Sequence, residues 1–268
     1  MGGQRIAVAL ACAALAACTP VRTTAPGTVG VERQALLLVS SSQMMAGAKQ
    51  SYDQVIGQAR SQGRLNTDPA LANRVRMVGQ RLVPQTAVFR PDAVSWDWEF
   101  NVIHEKTLNA WCMPGGKIAF YSEIIERLQL DDEEIAAIMG HEISHALREH
   151  GRERVSQTLV ARFGLNVLQL AGSGPVVAGQ VANAVQLGWL LPNSREHETE
   201  ADRMGVELAA RAGYDPRAAV RVWQKMSKLG GSSGPEFAST HPSNERRIAD
   251  LTVYSQKVQH LYEGAKKL

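Results

Sequence analysis

Only three cysteines occur in 268 residues, at positions 12, 18 and 112. The first two fall in an N-terminal segment that reads as processed or modified, so Cys112 is the one thiol left. That excludes a disulfide-stapled fold and a cysteine zinc site. Aromatic residues are scarce, at 6%, and no basic stripe is interleaved with them, so nothing points to nucleic-acid binding. Charge of one sign is nearly absent in net terms: the balance is +3 and includes Arg5. Long apolar runs are missing as well. The stretch from Phe163 to Ser194 carries no charged residue, yet glycines, Pro175 and amide side chains break it into runs far shorter than the ~20 residues of a membrane helix. It reads as two buried helices joined at Gly172–Pro175, or as a mobile flap or docking surface. What remains, 44% hydrophobic and 21% charged, is an ordinary globular composition, enough for one domain with a sizeable core.

The first residues carry targeting information. Arg5 is a short positive region, Ile6 to Ala17 an apolar one, and small residues precede Cys18. This pattern is a secretory signal at 1–17, too short to span a bilayer. Leu15-Ala16-Ala17-Cys18 resembles the lipobox of bacterial lipoproteins, which implies lipidation of Cys18. Thr19 in place of an aspartate suggests the outer membrane, with the protein facing the periplasm. Residues 18–30 contain Pro20, Pro26, Gly27 and several threonines and read as a flexible tether, leaving 31–268 as the folded domain. Lys266 and Lys267 would add only weak attraction to an anionic surface.

His141-Glu142-Ile143-Ser144-His145 is the most specific stretch. Asp131 or Asp132 is placed to cap a helix that Ile135, Ile138, Met139, Ile143 and Leu147 continue at helical spacing. Arg148, His150, Gly151 and Arg152 look like its basic, glycine-terminated end. On a helix, residues i and i+4 lie almost above one another, so His141 and His145 can grip one metal ion. Glu142 points about a quarter turn away, off the metal but within reach of an attacking water. That is the H-E-x-x-H arrangement of zinc peptidases.

Zinc needs a third protein ligand and an open fourth position. The segment Ser194-Arg195-Glu196-His197-Glu198-Thr199-Glu200-Ala201-Asp202 opens another helix behind a serine cap. Glu198 and Asp202 are i and i+4, but so are Glu196 and Glu200, and spacing alone does not choose between the pairs. His104, His150 and His197 read as surface or helix-end groups.

Four ordered motifs together resemble the HtpX/CAAX-protease-like family of zinc metallopeptidases, over roughly residues 30 to 265. They are His141–His145, Ser194–Asp202, Thr240-His241-Pro242 with Arg247, and Asn109-Ala110-Trp111-Cys112-Met113-Pro114-Gly115-Gly116. The periplasmic lipoprotein branch fits best, and no helical-repeat array is recognisable after these motifs. The resemblance implies a mainly helical, zincin-like α+β fold with a small antiparallel sheet. It implies one Zn²⁺ per chain on His141, His145 and Glu198, with Asp202 orienting a ligand and Glu200 in reserve. It also implies an endopeptidase acting on unfolded or misassembled cell-envelope proteins.

The remaining elements can be placed. Glu32 to Gln62 looks largely helical, and Asp68-Pro69 starts a further helix. Ala93 to Lys106 alternates as a strand, with two more strands flanking Pro114-Gly115-Gly116. Asn109 and Ala110 are expected at a sheet edge that takes substrate as an added strand. His241 has two possible tasks, stabilising an oxyanion or occupying the open metal position in a latent enzyme, and Arg247 would support either. Cys112 reads as a small buried hydrophobe. The competing reading is an envelope assembly factor or chaperone-like lipoprotein with a latent zinc site.

Overall fold

A computed structural model describes residues 20–163, 192–229, 241 and 245–265. The signal segment with Cys18, nearly all of the uncharged stretch 163–194, residues 230–240, Pro242 and the terminal lysines lie outside the described residues.

Helices begin where local chemistry satisfies their first N–H groups. Helix α1 (Ser41–Ser61) starts at Ser40, whose side chain accepts from Gln43 N while Gln43 reaches back to the cap. The helix expected from Glu32 therefore begins only at Ser41. Residues before it run extended, with Val21 and Ala35 paired in an antiparallel bridge. Helix α2 (Pro69–Leu82) starts as expected, with Asp68 accepting from Ala70 N and Leu71 N. Two tight helical turns, Val83–Val88 and Pro91–Ser95, then lead to the sheet.

The sheet has strands β1 (Glu99–Ile103), β2 (Ala110–Met113) and β3 (Lys117–Tyr121), in the order β1-β3-β2. The expected antiparallel sheet is in fact mixed. β2 pairs antiparallel to β3 through a tight turn, but β1 runs parallel to β3 from Glu99 beside Lys117 to Ile103 beside Tyr121. The chain reverses between β1 and β2 and again in the β2–β3 hairpin, so β1, on the far edge of β3, runs in the same direction as β3. Gly115 and Gly116 make that hairpin with φ of +85° and +83°, which L side chains adopt only under strain. Strand β1 starts later than the alternation suggests, because the helical turn Pro91–Ser95 takes up the first of those residues; Trp98 stacks between Trp96 and Phe100 at its entry. His104 lies past its end, exposed.

The helices α3 (Ser122–Arg127), α4 (Asp132–Leu147), α5 (His150–Phe163), α6 (Arg195–Arg211), α7 (Ala218–Lys228), α8 (Glu245–Lys257) and α9 (Gln259–Ala265) complete the described body. It is mainly helical with one small sheet, the arrangement expected of a zincin-like chain. Among the described residues no helix is long and apolar enough to cross a membrane.

Helix α4 is the centre of this body. Asp131 caps it in a box with Glu134, and every residue from Glu134 to Leu147 is buried. Ile135, Ile138, Met139, Ile143 and Leu147 join the main core, each contributing about 2 kcal/mol by leaving water. Against it lies α6, crossing at Gly140 and Gly205. A Cβ built on Gly205 would stand 2.6 Å from His141 N, and one on Gly140 would stand 2.7 Å from Gly205 O. The two backbones touch, so the histidines of α4 face the carboxylates of α6 directly.

The segment from residue 20 to 30 is not a free tether. Val29 is buried, and its N–H and that of Thr28 donate to the Glu207 carboxylate of α6. Thr23 Oγ1 donates to the Arg148 carbonyl, while the Arg148 guanidinium reaches Thr24 Oγ1 and the Arg33 carbonyl. A buried carboxylate and a buried guanidinium need partners, and this segment, with its turn at residues 27–30, supplies them.

Candidate metal centre

The crossing of α4 and α6 brings His141, His145 and Glu198 together, and His241 joins them: one ligand-type atom from each lies within 4.8 Å of all the others, and all four residues are buried. His141 Nε2 and His145 Nε2 are 3.0 Å apart. Glu198 stands 3.3 Å from His145 Nε2 and 3.5 Å from His141 Nε2. Ligands placed about 2.0–2.1 Å from a tetrahedral zinc ion are about 3.3 Å apart, so the three edges fit that ion. The donor chemistry, two imidazoles and a carboxylate, fits as well.

Charge in the pocket points the same way. Glu142, Glu198 and Asp202 are buried together, and isolated buried carboxylates are costly. Burial alone would push Glu198 up, but His241, His141 and His145 outweigh it and hold the carboxyl far below its ordinary value. For His141, burial disfavours the charged ring, yet Asp202 and Glu198 win and raise its pKa to about 9. Carboxylates facing imidazoles at this depth favour a cation in the pocket. Burial pushes His145 well below its ordinary value, which leaves its ring neutral for coordination.

Asp202 lies where its spacing placed it, one turn after Glu198, with Oδ1 2.9 Å from His141 Nδ1. Arg247, on α8, spans both carboxylates. Its Nε and Nη2 donate to Asp202 at 2.5 and 2.7 Å, and its Nη1 lies 2.9 Å from Glu198 Oε2. The guanidinium also sits 3.7 Å over the Trp223 ring, a cation–π contact that sequence spacing gave no means of finding.

Glu142 is buried beside the donor cluster, and its Oε1 makes no hydrogen bond among the described residues. His241 Nε2 lies 3.5 Å from it. Burial raises its pKa, only partly offset by His241 and His141. A carboxylate raised in this way suits proton transfer at neutral pH. His241 Nδ1 lies 2.9 Å from Glu198 Oε1 and 3.2 Å from His141 Nε2.

Asn109 and Ala110 enter β2, an edge strand of the sheet that packs along α4. Asn109 O accepts from Tyr121 N, and Asn109 Oδ1 accepts from Ala110 N. Cys112, on the same strand, is half-buried against the core, and burial pushes its thiol up.

Three sequence expectations change. Glu200 is not among the donors: two residues past Glu198 it turns to the other side of α6, where it meets His150 and Arg148. His150 and His197 are not surface groups but buried, with rings stacked 4.3 Å apart. Gly151 does not end the metal helix; Glu149 does, at φ +58°, and α5 starts at once with His150. None of this is visible in helical periodicity, because each contact joins different elements.

The profile of peptidase family M48 matches residues 69–255, which takes in α2 through most of α8 and every donor above. Relatives include the mitochondrial metalloendopeptidase OMA1 of Arabidopsis thaliana, 39% identical over 150 residues, covering 56% of this chain and 30% of the relative. The protein of that name in Saccharomyces cerevisiae is 33% identical over 176 residues, 62% of this chain and 49% of the relative. The beta-barrel assembly-enhancing protease of Yersinia pestis is 28% identical over 250 residues, 85% of this chain and 50% of the relative. The chain spans about a third to a half of the length of these curated relatives. With H-E-x-x-H and its glutamate partner folded into one buried pocket inside the matched range, the chain belongs to peptidase family M48.

Proposed function

We propose that this chain is a zinc-dependent endopeptidase. One observation carries the reading: two imidazoles and a carboxylate converge at zinc-ligand spacing, with a buried glutamate beside them whose Oε1 makes no hydrogen bond among the described residues. His141, His145 and Glu198 hold the ion. A bound zinc ion supplies Lewis acidity toward the scissile carbonyl and toward water. Glu142 takes the proton of the attacking water and passes it to the leaving amine. Asp202 accepts from His141 Nδ1 and keeps its Nε2 free for the metal. Arg247 locks Asp202 and Glu198 in place rather than touching substrate. Strand β2, entered by Asn109 and Ala110, receives an extended peptide as an added strand.

His241 is the latch. Its Nδ1 lies among the donor atoms, which favours occupation of the fourth position over oxyanion stabilisation. On this reading the resting enzyme is closed, and His241→Ala raises cleavage.

The substrates we propose are unfolded or misassembled cell-envelope proteins, reached from an outer-membrane anchor at Cys18. The lipobox-like sequence and the name of the Yersinia relative support this, whereas the OMA1 names speak of mitochondria. Loss of incorporated fatty acid in Cys18→Ser would support the anchor, and its retention would count against it.

The deciding comparison is wild type against Glu142→Gln, measured for bound zinc and for casein cleavage. Equal zinc with cleavage only by the wild type supports the peptidase. Equal zinc with cleavage by neither, even after His241→Ala, favours an assembly factor with a silent site. No zinc in either sinks the reading.

A further inference from the structure

We propose that His150 is a positioning residue for the metal centre, carrying the hold of Glu200 to His145 through a second imidazole. This rests on the metal-centre reading above. His145 has two ring nitrogens with separate surroundings. Nε2 faces His141 and Glu198, while Nδ1 lies 2.8 Å from His150 Nδ1. The other nitrogen of His150, Nε2, lies 2.9 Å from Glu200 Oε2. His150 has no exposed surface at all, so these contacts are not shared with water.

The protons can be assigned by counting. Two ring nitrogens at 2.8 Å need one hydrogen between them. Glu200 Oε2 already accepts from Arg148 Nε and Nη2, at 3.1 and 3.0 Å, and from Arg33 Nη2 at 3.1 Å, and Oε1 accepts from Arg33 Nε at 2.8 Å. These N–H groups use the carboxylate as an acceptor, and a bare His150 Nε2 at 2.9 Å would meet it lone pair to lone pair, so His150 must place its hydrogen on Nε2. That leaves His150 Nδ1 as an acceptor, so His145 donates from Nδ1 and keeps Nε2 unprotonated. Only this tautomer of His145 can bind a metal through Nε2, the nitrogen that faces the other donors. The reverse chain would put a hydrogen on Nε2, pointing at the donor cluster.

The ring is also held in orientation. Glu149, at φ +58°, folds the chain back so that His150 meets His145 from the start of α5. His197 stacks on the other imidazole at 4.3 Å and 16°. Its Nε2 lies 3.0 Å from Glu153 Oε2, and Glu153 is gripped by both terminal nitrogens of Arg33. The two metal histidines are thus supported unequally. Asp202 reaches His141 directly, whereas Glu200 reaches His145 through one more ring.

The test is zinc affinity of the full chain, by competition with a chromophoric chelator, for wild type, His150→Phe and His150→Asn. Phenylalanine keeps the ring but accepts nothing, so affinity falls about 10–100-fold. Asparagine presents an oxygen near the position of Nδ1 and recovers most of it. Wild-type affinity in His150→Phe, or equal weakness in both variants, would overturn the proposal. Failure of the wild type itself to bind zinc would instead sink the metal-centre reading, and the proposal with it. Should His150→Phe not fold, two-bond ¹H–¹⁵N spectra of the zinc-loaded wild type decide: His150 must be the neutral Nε2–H tautomer, and an Nδ1–H ring or an imidazolium overturns the idea.

Discussion

The contact between Gly140 and Gly205 makes the sharpest demand on this chain, and Gly205→Ala tests it. The added Cβ would stand 2.6 Å from His141 N and 2.9 Å from Gly140 C. Both neighbours are backbone of a buried helix and cannot swing aside. Restoring an ordinary separation of at least ~3.4 Å requires α4 and α6 to part by about 0.8 Å, a form of overpacking that typically costs 1–3 kcal/mol. Alanine returns up to about 1 kcal/mol, since glycine is the poorer helix former. The net is a loss of up to about 2 kcal/mol, or roughly 8 °C at most for a chain of this size.

The metal should suffer more than the fold. Glu198 sits two turns before Gly205 on the same helix, 3.3 and 3.5 Å from the two imidazole nitrogens. Moving it by about 0.8 Å exceeds the ~0.5 Å tolerance of a preorganised site, so zinc affinity should drop at least tenfold. Thermal unfolding of the zinc-free protein and chelator competition measure the two effects separately. Gly57→Ala is the control: its Cβ would meet nothing within 4 Å on exposed α1, so it should stabilise slightly and leave zinc binding alone. If Gly205→Ala behaves like Gly57→Ala in both assays, the contact does not set the site.

Three further outcomes follow from the same geometry. Glu153 is opposed by burial, but His197 and Arg33 hold it down at about 2; being depressed, it contributes stability above its ordinary value near 4.5 and loses it as pH falls toward 2. Urea midpoints of the zinc-free wild type should therefore fall more steeply below pH 4.5 than those of Glu153→Gln, by up to ~3 kcal/mol, and parallel profiles would refute this. Chelation should lower the unfolding temperature equally in wild type and Glu142→Gln, because Glu142 is not a donor; zinc at a thousandfold excess over its Kd is worth ~4 kcal/mol, and a smaller shift in Glu142→Gln would make it a ligand. Asp202→Asn should weaken zinc about 10–100-fold while the unfolding temperature of the zinc-free protein moves less than in Arg247→Ala, which strips two buried carboxylates of their cation; unaltered zinc affinity in Asp202→Asn would remove its role in orienting His141.

What could be read along the chain was whatever one helix decides by itself. Asp131 and Ser194 cap their helices because a carboxylate and a hydroxyl satisfy N–H groups three residues on. His141 and His145 share a face because i and i+4 must. The choice of Glu198 over Glu200 is different. Both sit on α6, and only the position of α4 decides which carboxylate meets the histidines and which meets His150. That position is set by two glycines, residues with no side chain to advertise a contact. The same holds for residues 20–30, whose threonines and prolines resemble a linker until Glu207 and Arg148 are seen to need partners. Paired charge is the common element: Glu200, Glu207, Arg148 and Arg33 are polar in any composition count, yet each takes a partner more than a hundred positions away. A pattern of apolar spacing finds cores, and it passes over sites such as this one, whose walls are made of paired charges.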